Sequence, residues 1–212
     1  MTWTLHGARG CGSLIAEAAC AELGVEVRIR DWDARAGEHQ DERYGALNPQ
    51  HKFPTLESDD GELLIESLAI VLTLDERHPG KLLPPPASRA RARALPWLVF
   101  MATELYSIIE FIDFPERLAG DPAEGQGVTI VRDNAKAIWR RRWQLLESRA
   151  AASPYFLAEG FSAIDLYIAL LSRWDLDPQW RSEQLPRVEA ITEAVRERPA
   201  VAAVWSRHFG GG

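Results

Sequence analysis

The sequence has only two cysteines, Cys11 and Cys20, and both fall in or next to one predicted helix. So placed, they form no disulfide framework, and such sparse cysteine implies a reducing, cytoplasmic setting. Basic charge is also short. The 24 Lys and Arg stand against 31 Asp and Glu, a net charge of −7, and phosphate binding needs the opposite balance, which excludes a nucleic-acid partner. No apolar run approaches the roughly 18 residues of a membrane span, so no membrane association is expected. The opening MTWTLHGARG lacks a basic segment followed by an apolar one, so no secretory signal is expected. No His/Cys cluster has metal-ligand spacing, and no metal is expected. There are no internal repeats. What remains is 212 residues, 46% of them hydrophobic, with eight tryptophans: enough for one or two domains with a real core, and aromatic bulk to pack it.

The first eighty residues alternate short apolar runs with helical patterns. TWTLH reads as a strand, Ser13 to Leu23 as a helix stopped by Gly24, and EVRIRDW as a half-buried strand. AGEHQDERYGALNP is a punctuated loop with room for a short helix. TLES and ELLI flank Asp60-Gly61 as a hairpin, and Ser67 to Arg77 reads as a helix. A right-handed βαβ unit followed by an antiparallel hairpin describes a thioredoxin-like half. At LLPPPASRARARA the composition changes, because three consecutive prolines continue neither helix nor central strand. Helical patterns alone follow: Ala90 to Leu118, Gly127 to Ala152, Ser162 to Trp174, Ser182 to Arg198 and Ala200 to Phe209. The expected organisation is an α/β thioredoxin-like domain over 1–80, a proline-rich linker over 81–87 and an all-α domain over 88–212. FSAIDL places Ser162 at an N-cap with Asp165 three residues on, a capping-box variant, and Phe161 and Leu166 at the staple positions. RARAR and the RRR of WRRRW are expected on solvated helix faces. The terminal HFGGG carries no packing signal and is expected to fray.

Three short stretches could carry chemistry. Pro54 follows Phe53 at the start of a strand. A cis bond there would turn the Phe53 N–H and C=O outward to pair with an extended ligand; an ordinary trans proline at an edge strand is equally compatible. Glu66 and Ser67 open a helix whose free N–H groups and dipole attract a carboxylate. Ser67 adds a hydroxyl and Glu66 can hold an ammonium, while plain capping is the simpler alternative. HGARGCGSLIAEA is a strand end, a glycine-rich turn and a helix start. Its small residues let a ligand approach the backbone, with Cys11 or Ser13 at the helix mouth.

Taken together, NPQHKFPTLESDDGELLIESLAI, then prolines, then helices, then FSAIDLYIALL, resemble the soluble glutathione transferase family over nearly the whole chain. Bacterial beta-class and zeta-like members look closest, including ATELY in the first long helix of the second domain. The resemblance implies that Phe53 bonds the cysteinyl part of glutathione through its backbone with Pro54 cis, and that Glu66 and Ser67 hold the γ-glutamyl end. Lys52 or His51 approaches the glycyl carboxylate, and Tyr106 reaches towards the thiol or the second substrate. It implies a homodimer with glutathione as co-substrate and a small electrophile or disulfide as the other. The sequence departs from the beta-class pattern, which has Cys followed directly by Ser. Cys11-Gly12-Ser13 puts Gly12 at the Cys position. Tyr106 stands where that class commonly has histidine and Val99 where it often has asparagine, and the strand-one tyrosine of many relatives is missing from TWTLH.

A free thiol with a pKa of about 8.5 is roughly 3% thiolate at pH 7. Making the thiolate the major form requires roughly 2.7 kcal/mol. One charge-assisted hydrogen bond supplies about 1.5–3 kcal/mol and a helix N-terminus about 0.3–1, so a Ser13 hydroxyl at a helix start suffices. The electrophile is expected near Tyr106, Phe111 and Phe114. Cys11 offers a different chemistry, thiol–disulfide exchange through a mixed disulfide with glutathione. A non-catalytic binding or scaffold protein that keeps the fold is the third reading.

Overall fold

A computed structural model describes residues 2–119, 125–151, 154–174 and 177–210. The chain opens with β1 (Trp3–Gly7), α1 (Ser13–Leu23) and β2 (Val27–Asp31). A 3₁₀ turn (Glu38–Gln40) and the short α2 (Glu42–Gly45) lead to β3 (Thr55–Ser58), β4 (Leu63–Ile65) and α3 (Ser67–Arg77). The four strands lie in the order β2-β1-β3-β4, with β1 parallel to β2 and antiparallel to β3. This is the mixed sheet expected of a thioredoxin-like half. β2 departs from its expected half-burial: Val27 is half-buried but Ile29 is 36% exposed. As an edge strand, β2 has a neighbour on one side alone.

Helices follow: α4 (Arg89–Phe100), a π-helical turn (Met101–Tyr106), α5 (Ile109–Asp113), α6 (Glu116–Ala119), α7 (Gln126–Arg149), α8 (Ala163–Ser172), α9 (Pro178–Gln184), α10 (Pro186–Arg196) and α11 (Pro199–Phe209). The long helix expected over 90–118 is therefore broken, and that over 182–198 divides where Pro186 starts α10. Ala152, expected to end another helix, lies outside the described residues. Arg89–Asp113 is long and apolar enough to cross a membrane by length and composition, contrary to expectation. Here Ala94, Leu98, Met101, Leu105 and Ile108 are buried in the core.

α8 is buried throughout and forms the axis of the helical domain. Its start is fixed by Asp165, which accepts from the Ser162 N–H (2.7 Å), the Ser162 hydroxyl (3.2 Å) and the Phe156 N–H (2.7 Å). The proline-rich connection is docked rather than loose. Leu82 and Leu83 are buried, both their N–H groups donate to Asp75 Oδ1, and the Leu82 carbonyl accepts from the Ala163 N–H at 2.7 Å. Arg91 of the RARAR stretch leaves its expected solvated face to bond Asp75 Oδ2 at 2.5 Å. The terminal stretch is also packed where fraying was expected. His208 is buried, and the Phe209 ring lies 4.8 Å from that of Trp205. Gly211 and Gly212 lie outside the described residues.

Candidate functional site

A cleft of about 810 Å³ opens between the sheet domain and the helices. Cys11, His51, Lys52, Phe53, Pro54, Glu66, Ser67 and Tyr106 all line it. The loop before β3 is built first from its own polar groups. The Lys52 carbonyl accepts from the Tyr44 hydroxyl (2.8 Å) and from Asn48 Nδ2 (2.7 Å), and Tyr44 is fully buried. Burial pushes the Tyr44 phenol up to about 12, so it stays a donor. With that carbonyl held, the next residue is presented to the cleft. The Phe53–Pro54 peptide is cis, and among the described residues the Phe53 N–H and C=O find no backbone partner.

Opposite this loop, Glu66 precedes α3 with φ +65°. A bulky side chain in that region costs about 1–3 kcal/mol and marks positions held by their surroundings. Its carboxylate caps nothing; it accepts from Gln50 Nε2 at 2.8 Å. Plain capping by Glu66 is therefore not what is found. The mouth of α3, with its free N–H groups, faces the cleft through Ser67 and Leu68. The Ser67 hydroxyl is tied to the Tyr167 hydroxyl of α8 at 2.7 Å. At the rim, Lys52 Nζ reaches Glu110 Oε2 at 3.0 Å, and His51 Nδ1 lies 2.7 Å from the His39 carbonyl.

Ser13 is the correction. It is fully buried, donates to the Ala8 carbonyl at 3.0 Å and accepts from the Ala8 N–H at 3.3 Å. A Cβ on Gly7 would lie 2.3 Å from the Ser13 Cβ, so Ser13 packs into the end of β1 and is absent from the cleft wall. Its hydroxyl is spent inside the turn. Phe111 likewise packs against the core, and Phe114 takes the cleft position alone. Val99 is exposed and lies off the cleft wall.

The mouth of α1 is occupied instead by Tyr106. The π-helical turn delivers it, held by Arg142 Nη1 on the Glu104 carbonyl (2.6 Å) and by Trp139 Nε1 on the Leu105 carbonyl (3.1 Å). The Tyr106 hydroxyl packs directly against Gly12: a Cβ at that position would fall 1.9 Å from the phenol oxygen. Glycine at 12 and tyrosine at 106 therefore fit each other. Burial, reinforced by Cys11, Tyr167 and Glu66, holds the Tyr106 phenol well above its usual range. It is a neutral donor at physiological pH, seated at a helix N-terminus. Burial also pushes the Cys11 thiol up, which disfavours a resident thiolate.

Several lining residues went unnoticed in the sequence: His39, Asn48, Gln50, Arg173 and Trp174. Asn48 and Gln50 stand in the quoted NPQHKFP run. Trp174 carried no local signal beyond ending a helical pattern. Its ring packs edge-on to Tyr106 with centroids 5.1 Å apart.

Residues 5–82 match the family model described as "Glutathione S-transferase, N-terminal domain". The chain is 29% identical over 210 residues to the uncharacterized GST-like protein YncG of Escherichia coli K12, covering 96% of this chain and 97% of that protein. Among solved structures, a glutathione transferase homolog from Sulfitobacter with bound glutathione superposes with a TM-score of 0.85 at 21% identity, covering 96% of each chain. A glutathione transferase from Methylococcus capsulatus gives 0.78 at 26% identity, covering 95% of this chain and 96% of its own.

Proposed function

We propose that this chain, which has the glutathione transferase fold over nearly its whole length, belongs to the soluble glutathione transferase superfamily, and that its cleft binds glutathione and activates its thiol against a small electrophile. The observation that carries this reading is the Tyr106 hydroxyl packed against Gly12 at the mouth of α1, in the same cleft as Phe53 and Ser67. Glutathione lies extended along the Phe53 backbone, whose free N–H and C=O pair with its cysteinyl residue as a strand would. The mouth of α3 and the Ser67 hydroxyl take the γ-glutamyl carboxylate, and Glu66 takes the ammonium. Lys52 and His51 stand towards the glycyl carboxylate.

Tyr106 replaces Ser13 as the donor to the sulfur. One hydrogen bond to a charged group is worth about 1.5–3 kcal/mol and a helix N-terminus about 0.3–1, comparable to the roughly 2.7 kcal/mol the thiolate needs. The thiol proton leaves to water, and the sulfur lone pair forms the S–C bond at the electrophilic carbon. A leaving group departs with its bonding pair, or the pair of an activated double bond takes a proton. The electrophile lies against Tyr106, Phe114 and Trp174. Cys11 lines the same cleft, which favours glutathione-dependent disulfide exchange as the second reading. Its burial keeps that thiol protonated and ranks this chemistry below the first. A homodimer is the expected assembly, compatible with the exposed Leu63 and Val99.

Calorimetric titration with glutathione tests the binding half. A micromolar to low-millimolar Kd is expected, and no heat from a folded protein favours a scaffold instead. Tyr106→Phe tests the chemistry with a chloronitroarene as electrophile. The expected loss is about tenfold to a hundredfold in kcat with the glutathione Kd moved less than about threefold. Unchanged kcat removes Tyr106 from the mechanism.

A further inference from the structure

The Gly10 peptide, immediately before Cys11, is gripped on both sides by side chains from the helical domain. The Gly10 N–H donates to His208 Nδ1 of α11 at 3.0 Å. The Gly10 carbonyl accepts from Trp174 Nε1 at 2.9 Å. Gly10 itself has φ +72°, a conformation glycine reaches freely. The turn has a further internal bond, Cys11 N–H to the Ala8 carbonyl at 3.3 Å. A segment of two glycines around a cysteine has little stiffness of its own, so its place at the mouth of α1 depends on these outside partners.

His208 is buried, and its geometry fixes its tautomer. Accepting from Gly10 leaves Nδ1 without a proton, so Nε2 carries it and donates to Glu17 Oε2 of α1 at 3.0 Å. Arg207 donates to both Glu17 carboxylate oxygens, Nε to Oε1 at 2.8 Å, and through Nη1 to Asp31 of β2. Arg207 Nη2 and His208 Nε2, 2.8 Å apart, thus converge on one acceptor. The Trp174 ring, meanwhile, braces Tyr106. One end of the clamp holds the turn that carries Gly12, and the other holds the phenol packed against it.

We propose that His208 is a positioning residue for the site: by accepting from the Gly10 N–H it holds the Gly10–Cys11–Gly12 turn where Gly12 meets Tyr106, with Trp174 as its counterpart on the carbonyl side. The catalytic consequence rests on the glutathione transferase reading above, but the positioning itself is measurable without it. Cys11 sits in the clamped turn and is partly buried, whereas Cys20 is fully buried, so the rate of Cys11 alkylation by iodoacetamide, read by peptide mass mapping, reports the turn directly.

The substitutions separate the two sides of the imidazole. His208→Asn keeps an acceptor at the Nδ1 position and gives up Glu17. His208→Gln keeps a donor at the Nε2 position and gives up Gly10. The expected result is that Gln alters the Cys11 alkylation rate and lowers kcat by about fivefold or more, while Asn restores most of both. A role confined to fastening α11 to α1 predicts the reverse, with Gln rescuing and Asn failing. That result, equal impairment in both, or no effect in either, overturns the proposal. Trp174→Phe, which keeps the ring and loses the N–H, is the second arm and covers the case in which the His208 variants do not fold. It is expected to change Cys11 alkylation in the same direction by about fivefold, and an unchanged rate counts against the clamp. Glutathione calorimetry on the parent protein is run alongside: absent binding with a Gln-sensitive Cys11 rate defeats the transferase reading alone.

Discussion

At position 12 one methyl group would collide with a phenol. The Gly12 Cβ position lies 1.9 Å from Tyr106 Oη and 2.9 Å from Cζ, so Gly12→Ala must displace the ring. Loss of about tenfold or more in kcat is expected from Gly12→Ala alone, and little further loss in a Tyr106→Ala background, which a double-mutant cycle measures. Additive losses would show that the two positions do not share one function. The same pair explains what could be read in advance and what could not. Phe53, Pro54, Glu66 and Ser67, which the structure brings to one cleft, stood out in the sequence because backbone chemistry and helix ends are written locally. Ser13 was misplaced because a helix-start hydroxyl looks the same in sequence whether it faces a ligand or, as here, the preceding turn. Cys11-Gly12-Ser13 reads as a damaged motif until Tyr106 is seen filling the space that Gly12 leaves.

Among the elements, α8 shows local code at its strongest. FSAIDL announced its start, and Asp165 there accepts three hydrogen bonds in a fully buried setting. Asp165→Ala leaves buried donors unpaired and removes the cap, at an expected cost of about 2–4 kcal/mol, measured by chemical denaturation. A loss below about 0.5 kcal/mol would mean that water replaces the carboxylate. α4 shows the limit of periodicity. Its apolar rhythm promised one helix to residue 118, but the π-helical turn is set by tertiary bonds from Trp139 and Arg142. Those partners lie more than thirty positions away, beyond any local window. α11 is a missed opportunity: Val201, Val204 and His208 are all buried and recur at one helical face, so the rhythm that marks a core face included the histidine.

The two domains are stitched across α1. Glu22 takes a two-pronged bond from Arg198 at 2.6 and 2.7 Å, and Glu17 receives Arg207 and His208. Burial raises the Glu17 carboxyl, but the hydrogen bonds from His208 and Arg207 and the Arg207 charge more than offset it, and the net direction is down. A carboxylate held below its unfolded value of about 4.3 contributes stability above that pH and loses it as the pH falls through the folded value. Thermal stability should therefore drop below about pH 4.5, and Glu17→Gln should be less stable at pH 7 but flatter across the acid range, as calorimetry at stepped pH would record. An equal acid slope in both proteins would place the sensitivity elsewhere. These long-range pairs carried no signature in the sequence, because opposite charges at distant positions match up in too many ways to choose among.

The bond from Gly10 to His208 spans 198 positions. During synthesis the turn emerges long before its anchor, so a nascent chain can complete its sheet and still present an unfastened mouth. Until α11 has left the ribosome and docked, the turn lacks the anchor on its amide side and the cleft wall around Cys11 is unfinished.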